Sequence, residues 1–383
     1  MRSLIHLFVN IFLRIFLFFR RRNKHIIVCT GWGGKRFADN SRYMFLFLNE
    51  NKDMLGIKKV VWLTNNEEIE KELSSCGYLA CKRFSLKSIY YHLRAGIFFY
   101  DQFSSDLLVP FTKGAKLINL WHGLPIKKFG LADSHKKSSS ELWDLGMTYL
   151  LSCSGYGDYL FNQCFRVKKE NLIHGMYPRN YYLNEVIPFI TKSELYFLNI
   201  IKQKKKEGKK IIFYLPTFRS ESSDFLGVRS MDQIEKFFDI LECNNFFFVS
   251  KLHLVASEKR YEKLPFVKGK MLELPYEIDV YLFLKYTDIL ITDYSSVFFD
   301  FLYLDRDIIC YAYDFEKYSD QDRGFIVNYD SLPAIKAYTL SELENCILNV
   351  HKYDLSGQRM EWLHKCFGLY RMEDTVLSSL NIY

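Results

Sequence analysis

The stretch Asp288–Leu304, DILITDYSSVFFDFLYL, decides how the chain is read. Ile289, Leu290 and Ile291 form a short apolar run of the kind that makes a strand buried on both faces. Ser295 and Ser296 follow at once, and then Val297, Phe298, Phe301, Leu302 and Leu304 recur at helical spacing. Serine just ahead of such a pattern is a helix N-cap signal. A strand that turns sharply into a helix aims the free N–H groups of that helix beyond the strand's carboxyl end. With two added hydroxyls the turn is a seat for an anion, above all phosphate. The alternative is a structural cap whose serines satisfy only backbone groups.

Outward from this unit the same alternation repeats. Upstream, HIIVCTGWGGKRFADNSRYMFLFLNE reads as strand, glycine turn and helix, with Gly31, Gly33 and Gly34 at the hand-over. Arg36 stands where the third glycine of a dinucleotide fingerprint belongs, and Lys35 is followed by Arg, unlike a P-loop. Short apolar runs continue at Val60–Leu63, Ile97–Tyr100 and Leu117–Leu120, with helical patterns between them. After the basic, polar stretch Lys202–Lys210 a second series begins: Ile211–Leu215, Phe246–Ser250, Ile289–Thr292 and Ile308–Tyr311. Alternating strand and helix means parallel sheets covered on both faces. Two series predict two doubly wound α/β lobes, residues 25–195 and 196–383, facing across a cleft at their strand ends.

The formal charge of +8 is unevenly placed. Arg2, Arg14, Arg20, Arg21, Arg22 and Lys24 supply six of these charges within residues 1–25, leaving +2 for the rest. That near-neutral remainder argues against a nucleic-acid surface. Ser3, His6, Asn10 and Arg14 share one face of a helix whose other faces are Leu, Ile and Phe. Arg14 would be costly inside a bilayer, and Arg20–Arg22 offer no cleavage site for a signal peptidase. Residues 1–24 therefore read as an amphipathic helix lying on an anionic membrane surface through residues 2–24. A helix packed on the protein's own core and a short true span are the alternatives. The nine cysteines are scattered, with no pair or cluster at zinc spacing, which fits a reduced, cytosolic compartment.

Chemistry-bearing residues follow the strands. Trp121-His122-Gly123-Leu124-Pro125-Ile126-Lys127 comes after the Leu117 run, and Pro216-Thr217-Phe218-Arg219 after the Ile211 run. Lys251-Leu252-His253 follows the Phe246 run, and Asp293-Tyr294-Ser295-Ser296 the Ile289 run. In open α/β sheets the ligand lies at these ends. One imidazole from the first lobe would face an Arg, a Lys, a His and two Ser from the second. Guanidinium and hydroxyl donors suit a diphosphate, and imidazole suits proton transfer near neutrality. Taken singly, each has a plain structural reading: Lys127 and Lys251 as solvated charges, Arg219 as a partner of Glu221 or Asp224.

In order along the chain, WHGLPIK (121–127), GMYPRN (175–180), LPTFR (215–219), KLH (251–253), LITDYSSVFFDF (290–301) and DIICYAYDFEKYSDQDRG (307–324) resemble signatures of the CDP-glycerol glycerophosphotransferase family. GGKRFADN (33–40) fits that family's first lobe. These enzymes build teichoic-acid and related capsule polymers. The resemblance implies a GT-B-like fold and transfer of a polyol phosphate from CDP-glycerol, with no metal or further cofactor. It implies His122 as general base and a catalytic part for His253. Arg219, His253, Ser295 and Ser296 would hold the donor's diphosphate, Lys251, Asp293 and Lys127 would bind substrate, and Arg323 and Gly324 would lie near the nucleotide. It implies a polyprenyl-diphosphate-linked acceptor, and so a peripheral enzyme on the cytoplasmic face of the membrane. Two other readings stay open: the same fold using CDP-ribitol or another nucleotide-activated sugar, and a non-catalytic, membrane-bound glycan-binding protein.

Overall fold

The computed structural model describes residues 22–102, 106–133, 148–217, 225–228, 230–251, 269–321 and 324–380. The helix expected over 1–24 therefore lies outside the described residues, save for its end. There Asn23 and Lys24 already belong to strand β1 (Asn23–Cys29). Arg22 is also spent: its guanidinium donates to the carbonyls of His92, Ala95 (2.8 Å), Phe111 (2.9 Å) and Lys113 (2.7 Å). Among the described residues no helix is long and apolar enough to cross a membrane.

Successive side chains of a strand point to opposite faces, and this divides the cores. On β1, Ile27 and Cys29 join the large central core, whereas Ile26 and Val28 join a cluster on the other face. The first sheet has the order β3-β2-β1-β4-β5-β6-β7. It adds β2 (Lys59–Thr64), β3 (Leu79–Lys82), β4 (Ala95–Tyr100), β5 (Lys116–Asn119), β6 (Thr148–Ser152) and β7 (Leu172–His174). The second has the order β10-β9-β8-β11-β12-β13. Its strands are β8 (Lys210–Leu215), β9 (Phe246–Ser250), β10 (Met271–Glu273), β11 (Ile289–Thr292), β12 (Asp307–Tyr311) and β13 (Ile335–Ala337). Every pairing is parallel. The apolar runs read from sequence are strands throughout, with only Leu120 falling one residue beyond β5.

Between the lobes the helix Lys192–Lys206 opens on a capping box in which Thr191 and Glu194 satisfy each other's backbone N–H groups. It closes on Lys204, Lys205 and Lys206, where cations suit the negative helix end. The 195/196 division thus falls inside a helix. The last helices also leave the second lobe. Ser356–Phe367 and Met372–Leu380 return to the first, where the Ser154 hydroxyl donates to Cys366 O (2.8 Å) and Thr375 to Met176 O (2.8 Å). Gly175 permits this return, because a Cβ there would run into Thr375.

Candidate active site

At the carboxyl end of β5 the chain must reverse sharply. Trp121 takes a left-handed conformation (φ 56°) and Gly123 a wider one (φ 118°). A Cβ on Gly123 would stand 2.6 Å from Arg179 Nη2 and 2.9 Å from Ser296 Oγ, so only glycine fits. This turn presents His122 half-buried in a cleft of about 270 Å³ between the lobes. His122 Nδ1 lies 3.3 Å from the Asp101 carbonyl, which can only accept. The ring proton is therefore on Nδ1, and Nε2 keeps its lone pair. Burial holds the imidazole below its ordinary 6.5; the Asp39 carboxylate opposes this, and Arg179 and Lys127 reinforce it. At neutral pH it is an unprotonated base.

From the second lobe the turn after β11 brings Ser295 and Ser296 into the same cleft, beside Leu215, Pro216 and Lys251. Ser296 stands at the start of the short helix Val297–Phe301, yet its side chain makes no capping bond. Its hydroxyl donates instead to His122 O (3.3 Å). So His122, Lys251, Ser295 and Ser296 are brought together. Asp293 is not among the cleft walls: its buried carboxylate accepts from Thr217 N (2.8 Å) and fixes the turn after β8. Lys127 and Gly324 lie on a strand-like pairing between the lobes, with Lys127 bridged to Phe325 and Lys128 N donating to Gly324 O (3.1 Å). Arg219, His253 and Arg323 lie outside the described residues.

The cleft also holds residues that motif reading left without a part: Arg36, Asp39, Arg179, Tyr276, Asp279 and Tyr281. Arg179 is buried between two carboxylates, Asp39 of the first lobe (2.6 Å) and Asp300 of the second (2.7 Å). Asp39, itself in a left-handed conformation (φ 67°), donates its N–H to Asp279 Oδ2 (2.7 Å). Asp279 further accepts from the Tyr43 hydroxyl (3.1 Å) and Tyr281 N (2.8 Å). Behind it Arg42 and Glu194 form a fully buried double ion pair (2.9 Å for Nη2–Oε2). The available signal was the run Asp39-Asn40-Ser41-Arg42, four polar residues opening a helix whose next positions are Tyr43–Leu48; all four are buried. Among the described residues no group of His, Cys, Asp or Glu side chains converges as metal ligands.

A base on one α/β lobe facing hydroxyl and ammonium donors on another is the arrangement of a group transferase on the GT-B plan. The family model for CDP-glycerol:poly(glycerophosphate) glycerophosphotransferases matches residues 11–362, and the chain belongs to that family. It is 29% identical to a teichoic acid poly(glycerol phosphate) polymerase of Bacillus spizizenii, over 86% of this chain and 84% of that one. It is 30% identical to a teichoic acid glycerol-phosphate transferase of Staphylococcus aureus, over 80% of this chain and 79% of that one. The fold matches the wall teichoic acid polymerase TagF with a TM-score of 0.72 at 20% identity, covering 99% of this chain and 96% of that structure.

Proposed function

We propose that the protein moves glycerol phosphate from CDP-glycerol to a hydroxyl of a lipid-linked saccharide or polyol-phosphate acceptor in teichoic acid synthesis. The acceptor hydroxyl gives its proton to His122 Nε2 as its oxygen attacks the phosphorus bearing glycerol. The new O–P bond forms as the bridging P–O bond breaks, and CMP leaves with that electron pair. Ser295 and Ser296 donate to the diphosphate and to the charge building on the leaving phosphate. Arg219 and His253 would complete that cradle, Lys127 would bind substrate, and Arg323 and Gly324 would lie near the nucleotide. The observation that carries the reading is the His122 tautomer, base-ready in one cleft with Ser295, Ser296 and Lys251. The CDPG soak of a TagF variant, with a TM-score of 0.70 to this chain, supports the donor.

Residues 2–21 bind the anionic cytoplasmic leaflet, where a polyprenyl-linked acceptor resides; Arg22 is excluded from that contact by its four carbonyls. Incubating purified protein and a lipid acceptor with CDP-glycerol, CDP-ribitol or nucleotide sugars, and following CMP release, tests the donor. Faster turnover of any other donor would replace CDP-glycerol. Release of a 1–21 deletion from vesicles tests the anchor, and unchanged binding removes it.

A further inference from the structure

We propose that Arg36 and Lys251, walled by Trp32 and Tyr276, form a second anion subsite of the cleft that takes the phosphodiester of the acceptor's terminal unit. The proposal rests on the transfer reading above and adds what that reading leaves open, the chemical nature of the acceptor end.

The glycine turn after β1 is held from several sides. Gly33 N donates to Asp106 Oδ1 (2.7 Å), Asn65 N donates to Gly34 O (2.6 Å), and Gly33 and Gly34 both have positive φ. This rigid turn delivers Trp32 and Arg36 to the cleft. The Arg36 guanidinium lies 4.5 Å from the Trp32 ring centre and 4.9 Å from that of Tyr276, clasped between aromatic faces. One of its nitrogens, Nη2, donates to Ile278 O (3.2 Å), and Lys251 Nζ donates to the same oxygen.

Two cations thus share one neutral acceptor, and neither has an ion-pair partner among the described residues. Arg36 is 9% exposed, and its Nε, like the indole Nε1 of Trp32, is buried without an acceptor among the described residues. Burial first and then the neighbouring Arg36 charge press the Lys251 ammonium well below its ordinary range, against the opposing pull of Asp279, Glu194 and Glu277. Unsatisfied donors and crowded like charges are costly, and one phosphate oxyanion relieves both.

The donor's diphosphate has its hydroxyl donors in Ser295 and Ser296, against the backbone of His122. Arg36 comes from the first lobe, the side that carries the base. A glycerol-phosphate chain end carries its nearest phosphate only three carbons from the terminal hydroxyl. Placing that hydroxyl at His122 brings the phosphate into the same cleft. A saccharide end brings no such charge, so the subsite favours extending a polyol-phosphate chain over starting one.

The test compares two lipid acceptors, one ending in glycerophosphoglycerol and one in a saccharide hydroxyl, with full-length wild type and Arg36→Gln. The variant is expected to lower the preference for the phosphate-ended acceptor, as a ratio of kcat/KM, by about tenfold or more. The Kd for CDP-glycerol should move less than about twofold, and Arg36→Lys should recover part of the preference. Equal losses on both acceptors, no loss, or a matching loss of CDP-glycerol affinity would overturn the proposal; the last outcome assigns the anion to the donor. If Arg36→Gln does not fold, Trp32→Phe, which leaves an aromatic ring but removes the indole N–H, is read the same way. Failure of the wild type to use CDP-glycerol at all defeats the transfer reading, and is distinct from an Arg36 variant that leaves acceptor preference untouched.

Discussion

The Ser296 hydroxyl donates to the main-chain carbonyl of His122 at 3.3 Å, joining the strand end that carries the base to the one that carries the paired serines. By position this serine should cap a helix, and it does not. Ser296→Ala is therefore expected to change unfolding free energy by no more than about 0.5 kcal/mol. Thr191→Ala, which removes a true cap, costs roughly 1 kcal/mol. Urea denaturation of the two variants measures the difference, and transfer assays should show at least about a tenfold loss for Ser296→Ala alone.

His122→Gln should lower kcat by roughly 10²–10⁴ while CDP-glycerol still binds. In the wild type the acid limb of kcat/KM should fall below pH 6.5, because burial disfavours the imidazolium. The sign for stability is the same: a histidine harder to protonate folded than unfolded destabilises the fold as pH drops through its unfolded pKa. Asp39→Asn should move the limb lower still, since that carboxylate raises the imidazole. A limb at or above the ordinary imidazole value counts against this account.

Arg179 is enclosed by Asp39 and Asp300 with almost no exposure. Arg179→Met leaves two carboxylates buried without their cation, at an expected cost of roughly 3–5 kcal/mol. Adding Asp300→Asn should recover part of that loss, and a double-mutant cycle in urea reads the coupling. Strict additivity would mean that the pair does not act as a unit.

Gly123→Ala puts a methyl group where Arg179 Nη2 and Ser296 Oγ already stand, in a conformation that L residues avoid. The strain should cost about 1–3 kcal/mol and displace His122, so melting temperature and transfer should fall together. Gly33→Ala is the control: its φ is also positive, but no atom lies within 4 Å of the added carbon. Its transfer rate should fall less than that of Gly123→Ala.

The sheets were legible because Ile289–Ile291, Phe246–Val249 and their counterparts are uninterrupted apolar runs. Strands of three residues such as β7, β10 and β13 carry too few positions for a period to show. His122, Lys251 and the two serines were legible because strand ends are where open α/β sheets hold ligands. The Asp39–Arg179–Asp300 and Arg42–Glu194 pairs were not, since a polar run opening a helix looks solvated until another lobe covers it. Nor does periodicity reveal that Met372–Leu380 crosses back; only the missing side chain of Gly175 leaves a trace of it.

Arg22 is gripped by four carbonyls from two segments of the first lobe, 92–95 and 111–113, just where the chain joins β1. Any pull on the preceding residues is taken up there, by main-chain oxygens that cannot rotate away. Load arriving from that side would enter the first lobe through its backbone at the start of β1, the strand beside the one that ends at Tyr100.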